Sequence, residues 1–371
     1  MSKYIISGGG TGGHIFPALA IAEALKKQDP AAEFLFVGAE GKMEMERVPR
    51  AGYKIIGLPI RGFERKLSLN NFLLIFKILK SMWMARQIVK DFKPDVAIGV
   101  GGYASGPLLK AAASMGVKTL LQEQNSYAGA TNRLLAKKAA KICVAYDNVA
   151  RFFPKEKVVK TGNPVREELV VLANSPDREV KKKEAYAFFG LSPEKKTLFI
   201  TGGSLGARTL NQSCEKALEA IAAKGFQVIW QIGKFYEADF LPLAKKQGAH
   251  VWANAFVERM DLAYLIADVV VARAGALTLA EICVMSKAAI LVPSPNVAED
   301  HQTANAKELS EKGAALLVPE AEAPTRLFAE AFNLLENPEK IAQLGRNAKA
   351  AGSDNAAEQI AKQIVQLINN K

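Results

Sequence analysis

The first glycine-rich segment carries the clearest chemical signal in the chain. It reads Gly8-Gly9-Gly10-Thr11-Gly12-Gly13 and lies between the apolar run Tyr4–Ser7 and a helical pattern over Phe16–Lys27. Glycines let a backbone approach a phosphate closely, and a helix N-terminus adds N–H donors and partial positive charge. The segment therefore predicts a phosphate or diphosphate site. A tight turn without a ligand is the alternative, which the entropic cost of five glycines in six residues disfavours.

His14, one of three histidines, follows this segment directly. An imidazole with an ordinary pKa of ~6.5 suits a general base or a phosphate ligand, and a helix N-terminus favours its neutral form. A capping or packing histidine is the other interpretation. The spacing Gly8-x-Gly10-x-x-Gly13 also matches the fingerprint of NAD enzymes, with Glu40 as a displaced acidic partner. No Gly-Lys-Ser/Thr follows, so the segment is not a P-loop.

Three further segments follow apolar, strand-like runs. Two are rich in glycine, Gly101-Gly102-Tyr103 and Gly202-Gly203-Ser204-Leu205-Gly206; the third is Arg273–Glu281. Doubly wound sheets bind ligands at the carboxyl ends of their strands, so these two glycine-rich segments and the first one together predict a cleft between two domains that handles more than one phosphate group. Glu281 lies early in a helical pattern, where a carboxylate can accept hydrogen bonds from a ribose diol. A carboxylate that merely favours the helix dipole is the alternative.

Strand-like and helical patterns alternate along the chain, and the order restarts near residue 197. Such alternation predicts an α/β fold with parallel sheets covered by helices on both faces. We expect two Rossmann-like, doubly wound domains that face a central cleft. Their expected bounds are 1–165 and 166–345, and a C-terminal helix at about 346–371 is expected to pack back onto the first domain.

Composition excludes several classes of protein. Hydrophobic residues make up 49% and charged residues 23% of the 371 residues, which excludes a disordered chain. Cys143, Cys214 and Cys283 are too widely spaced for a disulfide framework and are expected to be small buried side chains. No signal segment and no membrane-spanning run is visible, so a cytoplasmic location is expected. No Asp-x-Asp or His-x-x-x-His occurs, and neither a metal nor another cofactor is expected.

The positive charge is concentrated in the first part of the chain. Lys and Arg outnumber Asp and Glu by 25 to 12 in residues 1–165, while the remainder has 24 against 25. This basic part predicts an anionic partner. Within it, 72–84 is apolar nearly all round if helical, with Phe72, Ile75 or Phe76, and Leu79 towards the core. The expected membrane-facing patch comprises Leu73, Leu74, Ile78, Lys77 and Lys80. A fully buried helix is the alternative.

Six ordered motifs together resemble the undecaprenyl-diphospho-muramoylpentapeptide β-N-acetylglucosaminyltransferases, which have the glycosyltransferase B fold. The motifs are Gly8–Ala20, Gly101–Pro107, Glu123-Gln124-Asn125, Gly162–Arg166, Gly202–Arg208, and Arg273–Thr278 with Glu281. The resemblance covers nearly the whole chain. One departure is Gln122, where the family often has histidine, so no catalytic role is expected there.

The resemblance implies a role for each matched residue. His14 would be the catalytic base or a ligand of the acceptor diphosphate. Gly10, Gly102 and Tyr103 would lie on the acceptor diphosphate side. The donor, UDP-GlcNAc, would be bound by Thr11, Gly12, Gly13, Asn125, Arg166, Ser204, Val257, Ala276, Leu277, Thr278, Leu279, Ala280, Glu281 and Gln302. Among these, Val257 would meet uracil through its backbone, Glu281 the ribose and Gln302 the GlcNAc hydroxyls.

The implied reaction transfers GlcNAc to the MurNAc 4-hydroxyl of undecaprenyl-diphospho-MurNAc-pentapeptide, with inversion and without a metal. The implied location is peripheral, on the cytoplasmic face of a bacterial plasma membrane, with other wall-synthesis proteins as possible partners. Three rival functions stay open: a nicotinamide-dependent dehydrogenase, a UDP-GlcNAc epimerase and a nucleic-acid binder. No nucleic-acid recognition motif supports the last, so no nucleic-acid partner is expected.

Overall fold

The computed structural model describes residues 1–60 and 69–369, apart from the side chains of 69–75 and 298. These residues form two compact units. The first comprises the described residues of 1–166 and 355–371, and the second comprises 167–354.

The first unit is built on a parallel sheet of seven described strands in the order β3-β2-β1-β4-β5-β6-β7. The strands are β1 Lys3–Ser7, β2 Glu33–Ala39, β3 Lys54–Leu58, β4 Val96–Gly99, β5 Lys118–Glu123, β6 Lys141–Val144 and β7 Val158–Lys160. The helices are α1 Gly12–Gln28, α2 Glu44–Arg50, α3 Leu69–Phe92, α4 Ser105–Ser114 and α5 Ala130–Leu135, with 3₁₀ turns at Asp147–Phe152 and Lys155–Lys157.

The second unit repeats the plan with six described strands in the order β10-β9-β8-β11-β12-β13. They are β8 Thr197–Thr201, β9 Gln227–Gln231, β10 Val251–Asn254, β11 Val269–Ala272, β12 Ala288–Leu291 and β13 Leu316–Leu317. Its helices are α6 Glu167–Asn174, α7 Arg178–Phe189, α8 Arg208–Ala223, α9 Glu237–Lys245, α10 Met260–Ile266, α11 Ala276–Val284, α12 His301–Ser310, α13 Ala323–Leu335 and α14 Pro338–Ala351, with 3₁₀ turns at Lys234–Tyr236 and Ala298–Asp300.

Burial on both faces explains why the central strands of each sheet are largely apolar. Side chains alternate across a strand. In β1, Ile5 therefore contributes to one core cluster and Ile6 to the cluster on the opposite face. In β8, Phe199 and Ile200 divide in the same way. Helices cover both faces of each sheet, and the predicted α/β fold of two doubly wound domains is confirmed.

The C-terminal segment differs from the expected division. Only the last helix, α15 Ala356–Asn369, belongs to the first unit, where Ile360 and Ile364 join the core cluster that contains Ile21 of α1. Residues 346–354 lie with the second unit instead. The reason is the packing of α14: a Cβ at Gly345 would lie 2.6 Å from the Ser286 carbonyl oxygen, so only glycine permits this close contact.

Helix α1 also begins earlier than the helical pattern indicates. It starts at Gly12, after Thr11 with extended backbone, rather than at Phe16. Pro17 therefore lies in the second turn of the helix. As a result, the end of the glycine segment is itself the first turn of α1, with its N–H groups at the carboxyl edge of the sheet.

Candidate functional site

The strand order reverses between β1 and β4 in the first sheet, and this point gathers the predicted acceptor residues. The loop after β1 lies directly against the loop after β4. A Cβ at Gly102 would lie 2.5 Å from the Gly9 carbonyl oxygen, and one at Gly101 would lie 2.8 Å from His14 Nε2. Both glycines have positive φ, +95° at Gly101 and +88° at Gly102. Because Gly101 and Gly102 lack side chains, the loop after β1 and the His14 ring can lie directly against the loop after β4.

His14 is half-buried in the first turn of α1, and its ring contacts the glycine loop. Its Nδ1 lies 2.9 Å from the Gly9 carbonyl oxygen and 3.5 Å from the Thr11 hydroxyl. Because a carbonyl oxygen can only accept, the shorter contact places a proton on Nδ1. A neutral ring in this position then carries its basic lone pair on Nε2.

Sequence reasoning missed Glu44, a fully buried carboxylate at the start of α2. Its Oε2 accepts from the Gly10 N–H at 2.9 Å, and its Oε1 accepts from the Ala39 N–H at 3.0 Å. A Cβ at Gly9 would lie 2.1 Å from Oε1, and one at Gly38 would lie 2.5 Å from the Glu44 Cγ. A glycine inside an apolar strand often marks such a close approach, so Gly38 was the available signal.

The NAD fingerprint loses support from these contacts. Glu40, the candidate acidic partner for a dinucleotide, is exposed. Glu44 instead bonds to the loop backbone, so the Gly10 N–H already has an anionic acceptor. The expected contact of Gly10 with the acceptor diphosphate is therefore not available through that N–H.

A second buried carboxylate, that of Glu123, accepts hydrogen bonds from the loop that contains Asn125. Glu123 Oε1 accepts from the Asn125 N–H at 3.1 Å, and Oε2 accepts from the Gly129 N–H at 2.9 Å and from Asn132 Nδ2 at 2.8 Å. Gln122, at the family's histidine position, is buried and donates to Asn163 Oδ1 at 3.1 Å.

Three other predicted residues of the first unit lie near its surface. Thr11 is exposed, and Tyr103 is 53% exposed after β4. Arg166 is half-buried and stacks its guanidinium over the Phe16 ring, 5.0 Å from the centroid. Phe16 lies on α1, so this cation–π contact brings Arg166 to the helix that carries His14.

In the second unit, the strand order reverses between β8 and β11, and each of these strands leads into a predicted donor segment. The loop after β8 is held by direct backbone contact. A Cβ at Gly206 would lie 2.2 Å from the Ile232 carbonyl oxygen, and one at Gly233 would lie 2.1 Å from Gly206 Cα. The half-buried Ser204 accepts from the Lys234 N–H at 3.3 Å through its carbonyl.

The segment after β11 opens α11 at Ala276, with Gly275 as the extended N-cap residue. The predicted residues Leu277, Thr278 and Ala280 are half-buried, and Leu279 is buried. Glu281, in the second turn, is buried and accepts from the Tyr264 hydroxyl at 3.1 Å. The phenol orients the carboxylate, a contact that the sequence did not predict.

The remaining predicted donor residues already make hydrogen bonds within the second unit. The Val257 N–H donates to Gln231 Oε1 at 3.0 Å, and Gln302 Oε1 accepts from the Ser294 N–H at 2.8 Å. Two consecutive residues before α12, Glu299 and Asp300, have positive φ values of 57° and 46°.

A half-buried ion pair, also missed from the sequence, lies beside these loops. Arg273 Nη2 donates to Glu320 Oε1 at 2.9 Å, and the Thr209 hydroxyl donates to the same oxygen at 2.5 Å. Burial alone would raise the pKa of Glu320, but these two donors outweigh it and hold the pKa below its usual value.

Among the described residues, the cysteines are buried and no cluster of metal-ligating side chains occurs. The three cysteines are free and buried, as predicted, and desolvation raises the pKa of Cys143 and of Cys283 to about 12. Within residues 1–60 and 69–369, no three His, Cys, Asp or Glu side chains gather in a group that could hold a metal ion.

Helix α3 presents a different face from the expected one. Phe76 and Leu79, expected in the core, are both 59% exposed, and Trp83 is 63% exposed. Ile78 instead packs against the core while still half-buried. The side chains of Leu73 and Leu74 lie outside the described residues, whereas Lys77 and Lys80 are exposed. No helix among the described residues is long and apolar enough to cross a membrane.

Comparisons with known proteins agree with both halves of this architecture. The model of the glycosyltransferase family 28 N-terminal domain matches residues 4–144, and that of the glycosyltransferase family 28 C-terminal domain matches residues 197–364.

Curated relatives extend the similarity to the full chain. A protein of Parabacteroides distasonis is 52% identical over 100% of both chains. Its name is UDP-N-acetylglucosamine--N-acetylmuramyl-(pentapeptide) pyrophosphoryl-undecaprenol N-acetylglucosamine transferase. A relative of the same name from Cytophaga hutchinsonii is 51% identical over 99% of this chain and 97% of its own. The present chain belongs to this family. The predicted resemblance and the predicted enzyme class, a glycosyltransferase, are thereby confirmed.

Solved structures support the same family. Acinetobacter baumannii MurG has a TM-score of 0.75 and 29% identity, covering 99% of this chain and 100% of its own. A UDP-GlcNAc 2-epimerase from Neisseria meningitidis has a TM-score of 0.70 at 17% identity, covering 98% and 100%. At that identity the epimerase shares the fold alone, so the rival function gains no support from the likeness.

Proposed function

We propose that this glycosyltransferase transfers GlcNAc from UDP-GlcNAc to the MurNAc 4-hydroxyl of undecaprenyl-diphospho-MurNAc-pentapeptide, as the names of its full-length relatives suggest. The observation that carries the proposal is the 52% identity over the whole of both chains. The site geometry supports it, since His14 lies at a helix N-terminus with Nδ1 bonded to the glycine loop.

The first unit is proposed to handle the acceptor. His14 Nε2 takes the proton of the 4-hydroxyl while its oxygen attacks C1 of GlcNAc, a contribution of ~10²–10⁴-fold to the rate. Gly12 and Gly13, in the first turn of α1, offer the helix N-terminus to a diphosphate. Tyr103 and Gly102 remain proposed acceptor contacts, and Thr11 and Asn125 remain proposed donor contacts.

The second unit is proposed to hold the nucleotide. The Ser204 loop and the start of α11 supply backbone N–H donors to the donor diphosphate, and Glu281 accepts from the ribose hydroxyls. Uracil would meet the carbonyl of Val257, because the N–H of that residue donates to Gln231. Arg166 and Gln302 are further proposed donor ligands, for the UDP and the GlcNAc hydroxyls respectively.

The bond changes follow from these roles. The acceptor oxygen forms a bond to C1, the bond from C1 to the UDP oxygen breaks, and UDP leaves with the electron pair. Attack on the face opposite the leaving group inverts the configuration at C1. Helix N-termini and polar side chains receive the growing negative charge of the diphosphate, so the proposed step needs no metal.

UDP release from UDP-GlcNAc tests this reaction. It would be measured with and without a short-chain lipid-linked muramoyl-pentapeptide, in excess chelator. We expect release that requires the acceptor, persists with chelator and falls at least ~100-fold in His14→Ala. Release without acceptor would favour an epimerase or hydrolase. A loss in His14→Ala confined to the acceptor KM would make His14 a diphosphate ligand rather than the base.

The exposed face of α3 is proposed to bind the anionic surface of the membrane that carries the acceptor. Phe76, Leu79 and Trp83 provide apolar surface, and Lys77 and Lys80 are exposed beside them. Apolar side chains with a basic rim favour adsorption to anionic lipid. The proposed location is therefore peripheral, at the cytoplasmic face of the plasma membrane, where other wall-synthesis proteins are possible partners.

Vesicle sedimentation tests this surface. Leu79→Ser with Trp83→Ser should weaken binding to phosphatidylglycerol vesicles ~10-fold or more, because each removes a large exposed apolar side chain. Leu134→Ser is the matched control, since Leu134 is 84% exposed on α5. Equal losses in both variants, or no binding by the wild-type chain, would contradict the proposed surface.

A further inference from the structure

A single peptide unit connects two functional groups of the first site. The peptide between Gly9 and Gly10 has its carbonyl oxygen 2.9 Å from His14 Nδ1 and its N–H 2.9 Å from Glu44 Oε2. The imidazole and the carboxylate therefore contact opposite ends of one amide. A carboxylate that accepts from the N–H polarises the amide and makes its carbonyl oxygen a better acceptor.

The surroundings keep this arrangement in place. Glu44 is fully buried, and its other oxygen accepts from the Ala39 N–H at 3.0 Å, so the carboxylate is held at both oxygens. Gly102 packs against the carbonyl of the same peptide, where a Cβ would lie 2.5 Å from the oxygen. A side chain at Gly9 would occupy the carboxylate's place, at 2.1 Å. The peptide therefore has little freedom to rotate.

We propose that Glu44 is a positioning residue for His14: acting through the Gly9–Gly10 peptide, it keeps the proton of the neutral ring on Nδ1 and the lone pair of Nε2 available for the acceptor hydroxyl. The hydrogen bond at one ring nitrogen decides which tautomer a histidine adopts. In hydrolases with a catalytic triad, a carboxylate orients the imidazole directly. Here the carboxylate acts through one amide. The inference rests on the proposed function, in which His14 is the base.

The direct test is the tautomer of His14, read from ¹⁵N chemical shifts in the full-length protein at a pH where the ring is neutral. The chain has only three histidines, so His14→Ala identifies the signal. In the wild-type protein we expect a protonated Nδ1 and an unprotonated Nε2. A wild-type ring protonated on Nε2 would overturn the proposal without any variant of Glu44.

Glu44→Gln then tests the connection to the carboxylate. The amide group keeps the size of the side chain but presents N–H donors to one of two backbone N–H groups. We expect the Nδ1–H population to fall, with a ~10- to 100-fold lower kcat, the range found when the partner that orients a metal-ligating histidine is lost. The KM for UDP-GlcNAc should stay within about twofold. A lower kcat with an unchanged tautomer would reduce Glu44 to a structural role.

Two controls separate folding from positioning. Glu46 lies on the same helix, is exposed and pairs with Arg50. The substitution Glu46→Gln should therefore change neither the tautomer of His14 nor kcat. If Glu44→Gln does not fold, Glu44→Asp keeps the charge and should retain more of the Nδ1–H tautomer than Glu44→Ala. The tautomer does not depend on turnover, so an inactive wild-type chain would refute the proposed reaction and leave this test intact.

Discussion

The two units use similar glycine segments in different ways. In the first unit, Gly9 makes room for a side chain, the buried carboxylate of Glu44. In the second unit, Gly206 makes room for backbone, because its Cα lies against the Ile232 carbonyl and Gly233. One loop is held by an anion bonded to its N–H, and the other by close contact between two main-chain segments.

This difference has a consequence for ligand binding. A carboxylate beside the first loop disfavours a second anion near Gly10, which leaves the start of α1 as the place for a diphosphate. Beside the second loop, the nearby carboxylate of Glu320 is paired with the Arg273 guanidinium. The second loop is therefore the more suitable of the two for the nucleotide diphosphate.

The largest expected effect is that of Gly206→Ala. The new Cβ would meet a carbonyl oxygen at 2.2 Å, and φ is +85°, so neither the backbone nor a neighbour can adapt. We expect a loss of about 3 kcal/mol or more in the free energy of unfolding, measured by urea denaturation. Gly203→Ala is the matched control: φ is +81° but no atom lies within 4 Å, so about 1 kcal/mol is expected. Equal losses would contradict the proposed backbone contact.

Gly9→Ala should cause the next largest loss of stability, and a second substitution should recover part of that loss. The new Cβ displaces the Glu44 carboxylate and breaks the hydrogen bond to the Gly10 N–H, at a cost of about 2 kcal/mol. Adding Glu44→Ala removes the clash, so the double variant should be more stable than the sum of the single losses predicts. Strict additivity in this double-mutant cycle would show that Gly9 and Glu44 do not interact.

Tyr264→Phe should have a smaller effect, confined to the donor side. It removes the hydroxyl that donates to Glu281 at 3.1 Å and leaves the buried ring in place. We expect UDP affinity, measured by calorimetry, to fall by about 1 kcal/mol, or roughly fivefold. Tyr186→Phe, a half-buried phenol on α7, is the control and should leave UDP affinity unchanged. An unchanged affinity in Tyr264→Phe would argue against Glu281 as the ribose ligand.

The smallest effect concerns acid stability. Since Arg273 and Thr209 hold the pKa of Glu320 below its usual value, its ionised form contributes stability above the unfolded-state pKa of about 4.3. That contribution is lost as the pH falls through the lower folded-state pKa. The free energy of unfolding should therefore decline more steeply for the wild-type chain than for Glu320→Gln below about pH 4.5. Parallel curves from urea titrations at several pH values would contradict this.

Local sequence signals predicted the architecture and the loops in which most of the candidate site residues lie. Buried apolar runs identify β1 and β8, and glycines after them identify the loops. Gly38 indicates a close approach, but the sequence could not show that Glu44 makes it, because the burial of Glu44 depends on the contact of α2 with a loop more than thirty residues away. The same holds for Glu320, which meets Arg273 across 47 residues. The face of α3 was mispredicted because an almost uniformly apolar segment has no periodicity that fixes its orientation.

Hydrogen–deuterium exchange with and without UDP tests whether the loops of the second unit bind the nucleotide. The full-length protein would be followed at peptide resolution, with no substitution needed. We expect the largest slowing of exchange in 202–208 and 275–281, where backbone N–H groups would bond to the diphosphate. Slowing confined to 8–14 would contradict nucleotide binding by the second unit, since it would make the first glycine loop the nucleotide site.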